Sequence, residues 1–237
     1  MLQGIIRNIS SLISPTRTIT MAAATFPELD IPTERATFAM GCFWAPEPIY
    51  GCKKGVIRTK VGYCGGTKEN PTYRSLGDHT EAIQIEYDPT QTDYKTLLGV
   101  FWRQHDSTAK YKSQYKSAIY YENDEQKKLA EESKAEYQKE LQRPIVTDIE
   151  KLGKFYDAEN YHQKYHLREH VQFYDSLGLT DPALVRSHVA TRLHGYIYGY
   201  GTLADFEDES KKWSLSEDQI AFVKKQMAHP RAIHCGL

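Results

Sequence analysis

The feature that most constrains this chain is the stretch GCFWAPE at residues 41–47. The apolar run before it, residues 36–40, predicts a short strand, and Gly41 allows the chain to bend sharply. Pro46 fits best in the first turn of a helix, because its missing N–H costs nothing there. The pattern therefore predicts a strand, a tight turn and a helix, with Cys42 on the turn.

Cys42 on such a turn would lie near backbone N–H groups, which stabilise a thiolate, the reactive form of cysteine. Phe43 and Trp44 place two large rings beside the sulfur. One interpretation is a nucleophilic thiol with an apolar wall. The other is a small buried hydrophobic residue, which is the usual state of a free cysteine. The residues alone leave both interpretations open.

Composition indicates an ordinary soluble globular protein. The chain has 237 residues, enough for one large domain or two small ones. Hydrophobic residues make up 40% and charged residues 26%. The net charge of −1 gives no overall field that would attract nucleic acid or a membrane surface. We expect neither as a partner, and no run is long enough to span a bilayer.

The four cysteines are too few for a secreted disulfide scaffold of this size. No C-x-x-C pair occurs, so we expect no structural metal, and nothing in the residues indicates a cofactor. We therefore expect a cytoplasmic protein whose cysteines are reduced. Cys235 is third from the C-terminus, where chains are usually mobile, so it could reach another thiol and form a transient disulfide. Cys52 and Cys64 fit either packing or a relay of that disulfide.

The chain divides into three predicted segments. Residues 1–34 form an N-terminal extension, residues 35–170 a catalytic core, and residues 171–237 a C-terminal extension that carries Cys235. Residues 1–25 contain no acid and carry arginine, serine and apolar residues, as mitochondrial presequences do. A mitochondrial location is therefore an alternative to the cytoplasmic one. A disordered extension, or a second start at Met21, is equally consistent with this composition.

Periodicity predicts strands and helices that do not strictly alternate. The predicted strands after the first cover residues 56–63, 80–87, 115–121 and 145–149. The predicted helices cover residues 46–50, 93–104, 124–142 and 214–227, and the glycines of residues 192–201 indicate a loop. This mixture favours an α+β fold, a two-layer sandwich of a mixed sheet with helices.

Glu81 lies on the apolar face of the predicted strand 80–87, because side chains alternate across a strand. A desolvated carboxyl there has a raised pKa and keeps its proton near neutral pH. It could then act as a proton donor in an apolar site. A glutamate at the strand end that reaches water is the other interpretation, since carboxylates are rarely fully buried.

Several ordered motifs over residues 35–166 resemble one known family, the A-type peptide methionine sulfoxide reductases, which act on the S epimer. The motifs are GCFW at 41–44, VGYCGG at 61–66, NPTY at 70–73, Glu81 followed by YDP at 87–89, QYKSAI at 114–119 and YHQKY at 161–165.

The resemblance implies a mixed α+β core and a role for each matched residue. Cys42 takes the place of the nucleophile and Glu81 that of the acid. Phe43 and Trp44 take the place of the pocket for the substrate methyl group. Tyr73 and Tyr115 take the place of tyrosines that bind near the sulfoxide oxygen.

The resemblance also implies how the enzyme turns over. Methionine leaves and Cys42 remains as a sulfenic acid, which condenses with a second thiol. Cys235 is the candidate for that thiol, and thioredoxin is the implied reductant. The substrates would be oxidised proteins and free methionine sulfoxide, and we expect a monomer. The family's Gly-Asn-Asp sequence is missing, and Asp106 is the candidate substitute for its aspartate.

Two other functions remain as alternatives. A cysteine hydrolase or transferase would need a histidine beside the thiolate, and His79 is the candidate. A redox sensor would form a Cys42–Cys235 disulfide without turnover of sulfoxide. The R-epimer reductases are disfavoured, because their members often carry paired C-x-x-C zinc sites.

Overall fold

The computed structural model describes residues 26–229. The predictions for residues 1–25 and for Cys235 therefore lie outside the described residues. The described part is built on one six-stranded sheet with the order β5-β4-β1-β3-β2-β6. Its strands are β1 (Glu34–Met40), β2 (Val56–Cys64), β3 (Thr80–Tyr87), β4 (Ser117–Tyr121), β5 (Asp148–Lys151) and β6 (Tyr156–Asp157).

The sheet is mixed, because β4 and β5 are parallel whereas the other neighbouring pairs are antiparallel. The helices are α1 (Pro46–Gly51), α2 (Tyr94–Arg103), α3 (Asp124–Gln138), α4 (Tyr165–Arg168), α5 (Val171–Ser176), α6 (Asp181–Arg186), α7 (His188–Ile197), α8 (Leu203–Ser210) and α9 (Glu217–Ala228). The predicted α+β class is confirmed. No helix in the described part is long and apolar enough to cross a bilayer.

The central strand β1 carries the turn that holds Cys42. Phe38 of β1 pairs with Ile83 on one side and Ile119 on the other. All three side chains are fully buried in a cluster that includes residues of α1 and α2. Because β1 is held on both sides and covered by helices, the residues that follow it leave the sheet from a rigid position.

The predicted helix starts agree with the observed ones. Pro46 lies in the first turn of α1. The side chain of Asp93 caps α2 by accepting a hydrogen bond from the Thr96 amide, and Asn123 caps α3 by accepting one from the Gln126 amide. Ser216 forms a full capping box at the start of α9.

The predicted loop over residues 192–201 is wrong, because most of it belongs to α7. Gly195 lies where α7 meets the end of α1. A Cβ atom built on it would be 2.4 Å from the Cys52 sulfur, so the glycine permits close approach of two elements instead of ending a helix. Two strands also begin later than predicted: Ser113–Tyr115 form a 3-10 turn before β4, and β5 begins at Asp148.

The helices α4 to α9 follow the sheet and bury a second apolar cluster. Its buried side chains include Leu193, Phe206 and Val223. The segment boundaries predicted at residues 34 and 170 stay predictions.

A buried ion pair ties the start of α1 to the segment before α4. Glu47 and Lys164 are both fully buried. Lys164 Nζ donates to Glu47 Oε1 at 2.8 Å, and the Lys164 amide donates to Glu47 Oε2 at 2.8 Å. The Thr59 hydroxyl also donates to Glu47. Both carboxylate oxygens of Glu47 thus accept hydrogen bonds, which offset part of the free-energy cost of removing the ion pair from water.

Replacing Glu47 with glutamine is expected to lower the free energy of unfolding by about 3–5 kcal/mol, because Lys164 would keep a buried charge without its partner. Urea unfolding followed by circular dichroism measures the change. Glu131→Gln is the matched control, since its ion pair with Lys127 spans 3.8 Å on the surface of α3. An equal loss of unfolding free energy in Glu47→Gln and Glu131→Gln would contradict the stabilising role of the buried ion pair.

Candidate active site

Cys42 lies on the predicted turn between β1 and α1. Gly41 has φ 87°, a conformation that glycine adopts without strain, and the Ala45 amide donates to the Cys42 carbonyl at 3.3 Å. The cysteine is partly exposed in a cavity of about 200 Å³. The cavity is lined by Met40, Gly41, Cys42, Ala45, His105, Asp106, Tyr111, Tyr115 and Ser117.

Glu81 is tied to the residue next to Cys42. The Phe43 amide donates to Glu81 Oε2 at 3.1 Å, and the Gln114 side chain donates to Oε1 at 2.8 Å. The carboxyl group is 1% exposed. Burial raises its pKa to about 7, although both hydrogen bonds oppose the rise. The desolvated position predicted for Glu81 is therefore observed, and near neutral pH the carboxyl is partly protonated.

Tyr73 and Tyr115 are hydrogen-bonded to each other through their hydroxyl groups. Burial, this hydrogen bond and the nearby Glu81 and Cys42 raise the pKa of Tyr115, so its phenol stays protonated. Glu159 positions Tyr73, because its carboxylate accepts from the Tyr73 amide at 2.9 Å. Glu159 was not singled out in the sequence, which contains no signal that links it to residue 73.

The two rings beside Cys42 differ in their surroundings. Phe43 is buried against the Tyr63 ring at 5.8 Å and the His162 ring at 5.0 Å between centroids. Trp44 is half-buried and stacks on Tyr165 at 3.7 Å. Its indole Nε1 donates to His162 Nδ1 at 3.0 Å. Neither ring is among the residues that line the Cys42 cavity, so the methyl pocket implied at Phe43 and Trp44 stays a prediction.

His162 is neutral, because burial lowers its pKa to about 4. Its Nδ1 accepts the Trp44 hydrogen, so the proton of the neutral ring sits on Nε2. His162 belongs to the motif at residues 161–165, and its hydrogen bond with Trp44 connects that motif to the cysteine turn.

Asp106 lines the same cavity, but its carboxylate is already engaged. Oδ1 accepts from the Thr108 amide at 2.9 Å and from the Thr108 hydroxyl. Oδ2 accepts from Arg143 at 2.8 Å. These contacts lower the pKa of Asp106 to about 2, so it is anionic at the cavity edge.

His105 also lines the cavity, and sequence reasoning missed it. Its Nδ1 donates to the Phe101 carbonyl at 2.8 Å, so Nε2 accepts from the Ser117 hydroxyl at 2.7 Å. Burial lowers the pKa of His105 to about 4. Its neighbours in sequence, a helix end and a turn, gave no sign that it faces Cys42.

The geometry disfavours the hydrolase alternative. His79 is not among the residues that line the Cys42 cavity, and its two ring nitrogens contact the Gly66 amide and the Lys68 carbonyl. His105 is neutral and both of its nitrogens are engaged. Within residues 26–229, no histidine that lines the cavity can therefore hold the thiolate as an imidazolium ion pair.

Cys52 and Cys64 are packing residues in this arrangement. Cys64 is fully buried with Ala39 and Ala82 on the sheet face opposite Glu81. The Cys52 sulfur donates to the Arg192 carbonyl at 3.4 Å between α1 and α7. Burial raises the pKa of both thiols, which lowers the thiolate fraction that a relay would need.

The chain matches the family model for peptide methionine sulfoxide reductase over residues 34–188. The chain belongs to this family, in its A type. It is therefore an enzyme, an oxidoreductase that reduces methionine sulfoxide. A second family model, the helical domain of selenoprotein methionine sulfoxide reductase A, matches residues 178–227.

Curated relatives and solved structures agree with the family. A peptide methionine sulfoxide reductase from Drosophila melanogaster is 43% identical over 88% of this chain and 87% of its own length. Peptide methionine sulfoxide reductase A5 from Arabidopsis thaliana is 45% identical over 70% of this chain and 69% of its own.

The fold resembles that of methionine sulfoxide reductase A from Corynebacterium diphtheriae. The TM-score is 0.53 at 32% identity, over 59% of this chain and 76% of that one. Reduced Mxr1 from Saccharomyces cerevisiae gives 0.55 at 28% identity, over 62% of this chain and 91% of that one.

Proposed function

We propose that the chain reduces the S epimer of methionine sulfoxide, in oxidised proteins and as the free amino acid, with Cys42 as nucleophile and Glu81 as acid. One observation carries this proposal above the others. The carboxyl group of Glu81 accepts the backbone N–H of Phe43, the residue next to Cys42, at 3.1 Å. A proton donor is therefore held beside the thiol in an apolar pocket.

In the proposed reaction the Cys42 thiolate attacks the sulfoxide sulfur and forms a bond to it, while Glu81 protonates the sulfoxide oxygen. The protonated oxygen then moves to the Cys42 sulfur, and its bond to the substrate sulfur and the bond between the two sulfurs both break. The substrate sulfur gains two electrons and leaves as the thioether. Cys42 loses two electrons and keeps the oxygen as a sulfenic acid. Phe43 and Trp44 would hold the methyl group, since their rings follow Cys42 directly on the turn. The hydroxyls of Tyr73 and Tyr115 would donate hydrogen bonds to the oxygen.

Cys235 is the proposed resolving residue. Its thiol would condense with the Cys42 sulfenic acid to give a disulfide and water. Two observations support it indirectly: burial raises the pKa of the Cys52 and Cys64 thiols, and residue 45 is an alanine that offers no neighbouring thiol. Thioredoxin would then return both thiols to the reduced state. We also propose a monomer in the cytoplasm, with residues 1–25 as the basis of an alternative mitochondrial location.

A single-turnover assay without reductant tests this scheme. The protein is mixed with a peptide that carries the S-sulfoxide of methionine, and the methionine formed per chain is counted. About one methionine per chain, with Cys42 joined to Cys235, is expected. Methionine with Cys42 joined to Cys52 or Cys64 would remove Cys235 as the resolving residue. Absence of methionine, from folded protein with a reduced Cys42, would overturn the proposed function.

Asp106 is proposed to contribute to substrate binding at the cavity edge. Asp106→Asn is expected to lower kcat/KM by about five- to tenfold, because the amide cannot reproduce the charge-assisted contacts that hold this side of the cavity. Asp218→Asn, an exposed position on α9, is the control. Unchanged kcat/KM in Asp106→Asn would exclude the residue from the site.

A further inference from the structure

Three exposed tyrosines lie in the Cys42 cavity or close to the residues that surround the cysteine turn, and we call the surface that they form the rim. Tyr73, Tyr111 and Tyr161 are 37%, 48% and 53% exposed, and they are among the most exposed large hydrophobic side chains described. Tyr111 lines the cavity itself. Tyr161 lies against His162 at 4.1 Å, and Tyr73 lies against the same ring at 4.8 Å. Exposed aromatic rings around a catalytic cavity are suited to contact a polypeptide.

The same rim carries two cations. Lys112 Nζ lies over the ring of Tyr115, a residue that lines the cavity, at 4.9 Å from its centroid. Its charge also opposes the rise that burial causes in the pKa of the Glu81 carboxyl, so Lys112 lies near the proposed proton donor. Arg74 follows Tyr73 in the chain, and both Glu159 and Arg74 lie close enough to act on the Tyr161 phenol. Tyr73 is linked to the cavity through its hydrogen bond with Tyr115.

These cations have no carboxylate of their own. Within residues 26–229, no acidic side chain lies within 4.0 Å of Arg74, Lys110 or Lys112. Two acids of the site are engaged by other partners: Asp106 pairs with Arg143, and Glu159 accepts from Tyr73 and Tyr63. Arg74 and Lys112 are therefore cations of the rim that form no ion pair with a described carboxylate.

We propose that this rim recognises acidic residues that flank an oxidised methionine in a polypeptide substrate, with Arg74 and Lys112 as the charged contacts and the exposed tyrosines as the stacking surface. This substrate preference rests on the proposed sulfoxide reduction. Unpaired cations beside a reactive centre favour anionic substrates by steering their approach and by pairing once bound.

Three pentapeptides test the preference. Each is acetylated and amidated, with the S-sulfoxide of methionine at the centre, flanked on both sides by aspartate, serine or lysine. At low salt we expect kcat/KM for the aspartate peptide to exceed that for the lysine peptide by about tenfold or more. The ratio should shrink in about 0.5 M salt, where the charges are screened.

Arg74→Gln and Lys112→Gln are each expected to lower the ratio of kcat/KM for the aspartate peptide over the serine peptide about two- to fivefold. An effect of Lys112 on Glu81 acts on every substrate alike and cancels in this ratio. Lys225→Gln, which removes an exposed charge on α9, should leave the ratio unchanged. Equal reduction of the three peptides by the native protein, or ratios that the rim variants do not change, would overturn the substrate preference alone. No reduction of any peptide would overturn the proposed function as well.

Discussion

Replacing Cys42 with serine is expected to lower the rate of sulfoxide reduction by about 10⁴-fold or more. A serine hydroxyl stays protonated at neutral pH and cannot form the sulfenic acid on which the reaction depends. The turn, the cavity and the contacts of Phe43 and Trp44 should remain, because the substitution keeps the size of the side chain. Two quantities are measured: the methionine formed per chain in a single turnover, and the steady-state rate of methionine formation with thioredoxin as reductant.

Cys64→Ala is the control for this experiment. Cys64 is fully buried with alanines on the opposite sheet face, where an alanine leaves only a small void. We expect this variant to keep its rate and its yield of methionine. The assignment of Cys42 would be wrong if Cys42→Ser still produced one methionine per chain, or if the loss followed Cys64 instead.

Replacing Glu81 with glutamine is expected to lower kcat by about 10²- to 10⁴-fold, because the amide has no proton to give. In the proposed mechanism the protonated form is the donor, and burial raises the pKa of the carboxyl to about 7. Native kcat should therefore fall as pH rises through about 7. The residual activity of Glu81→Gln should lack this descending limb. A pH profile of kcat for both proteins measures the difference.

The same substitution is expected to stabilise the fold above neutral pH. Burial raises the pKa of Glu81 from 4.5 to about 7, so the native state binds the proton more tightly than the unfolded chain does. Stability contributed by this carboxyl is complete below pH 4.5 and is lost as pH rises through about 7. Above pH 7 the free energy of unfolding of the native protein is therefore expected to be lower than that of Glu81→Gln by about 3 kcal/mol. Lower activity with a higher Tm would separate a catalytic role from a structural one.

Glu86→Gln on the same strand is the matched control. Glu86 points to the other side of β3 and pairs with Arg58 at 3.2 Å, partly exposed to solvent. Its removal should leave both kcat and the pH profile unchanged. If Glu81→Gln and Glu86→Gln behave alike, Glu81 is not the proton donor.

Local signals predicted most of the elements well. The strand 80–87 and the helix starts at Pro46, Asp93 and Asn123 depend on side-chain alternation and on caps, which act over a few residues. The prediction failed at α7, whose glycines suggested a loop. Gly195 is there because α1 and the Cys52 sulfur approach too closely for a Cβ atom. That reason lies in a residue more than a hundred positions away, so no local pattern could reveal it.

By itself, the sequence determined the α+β class, the cysteine on its strand-to-helix turn and the strand face on which Glu81 lies, whereas the structure decided that Glu81 is buried. These follow from short-range rules: glycine and proline stereochemistry, and the two-residue period of a strand. The resemblance carried by its ordered motifs pointed to the family. Only the tertiary structure decided which side chains surround Cys42. It brings His105 and Asp106 to the cavity, keeps His79 away from it, and places Lys112 over the ring of Tyr115. Such groupings depend on how strands and loops far apart in the chain pack together, and the periodicity of a single segment does not encode that packing.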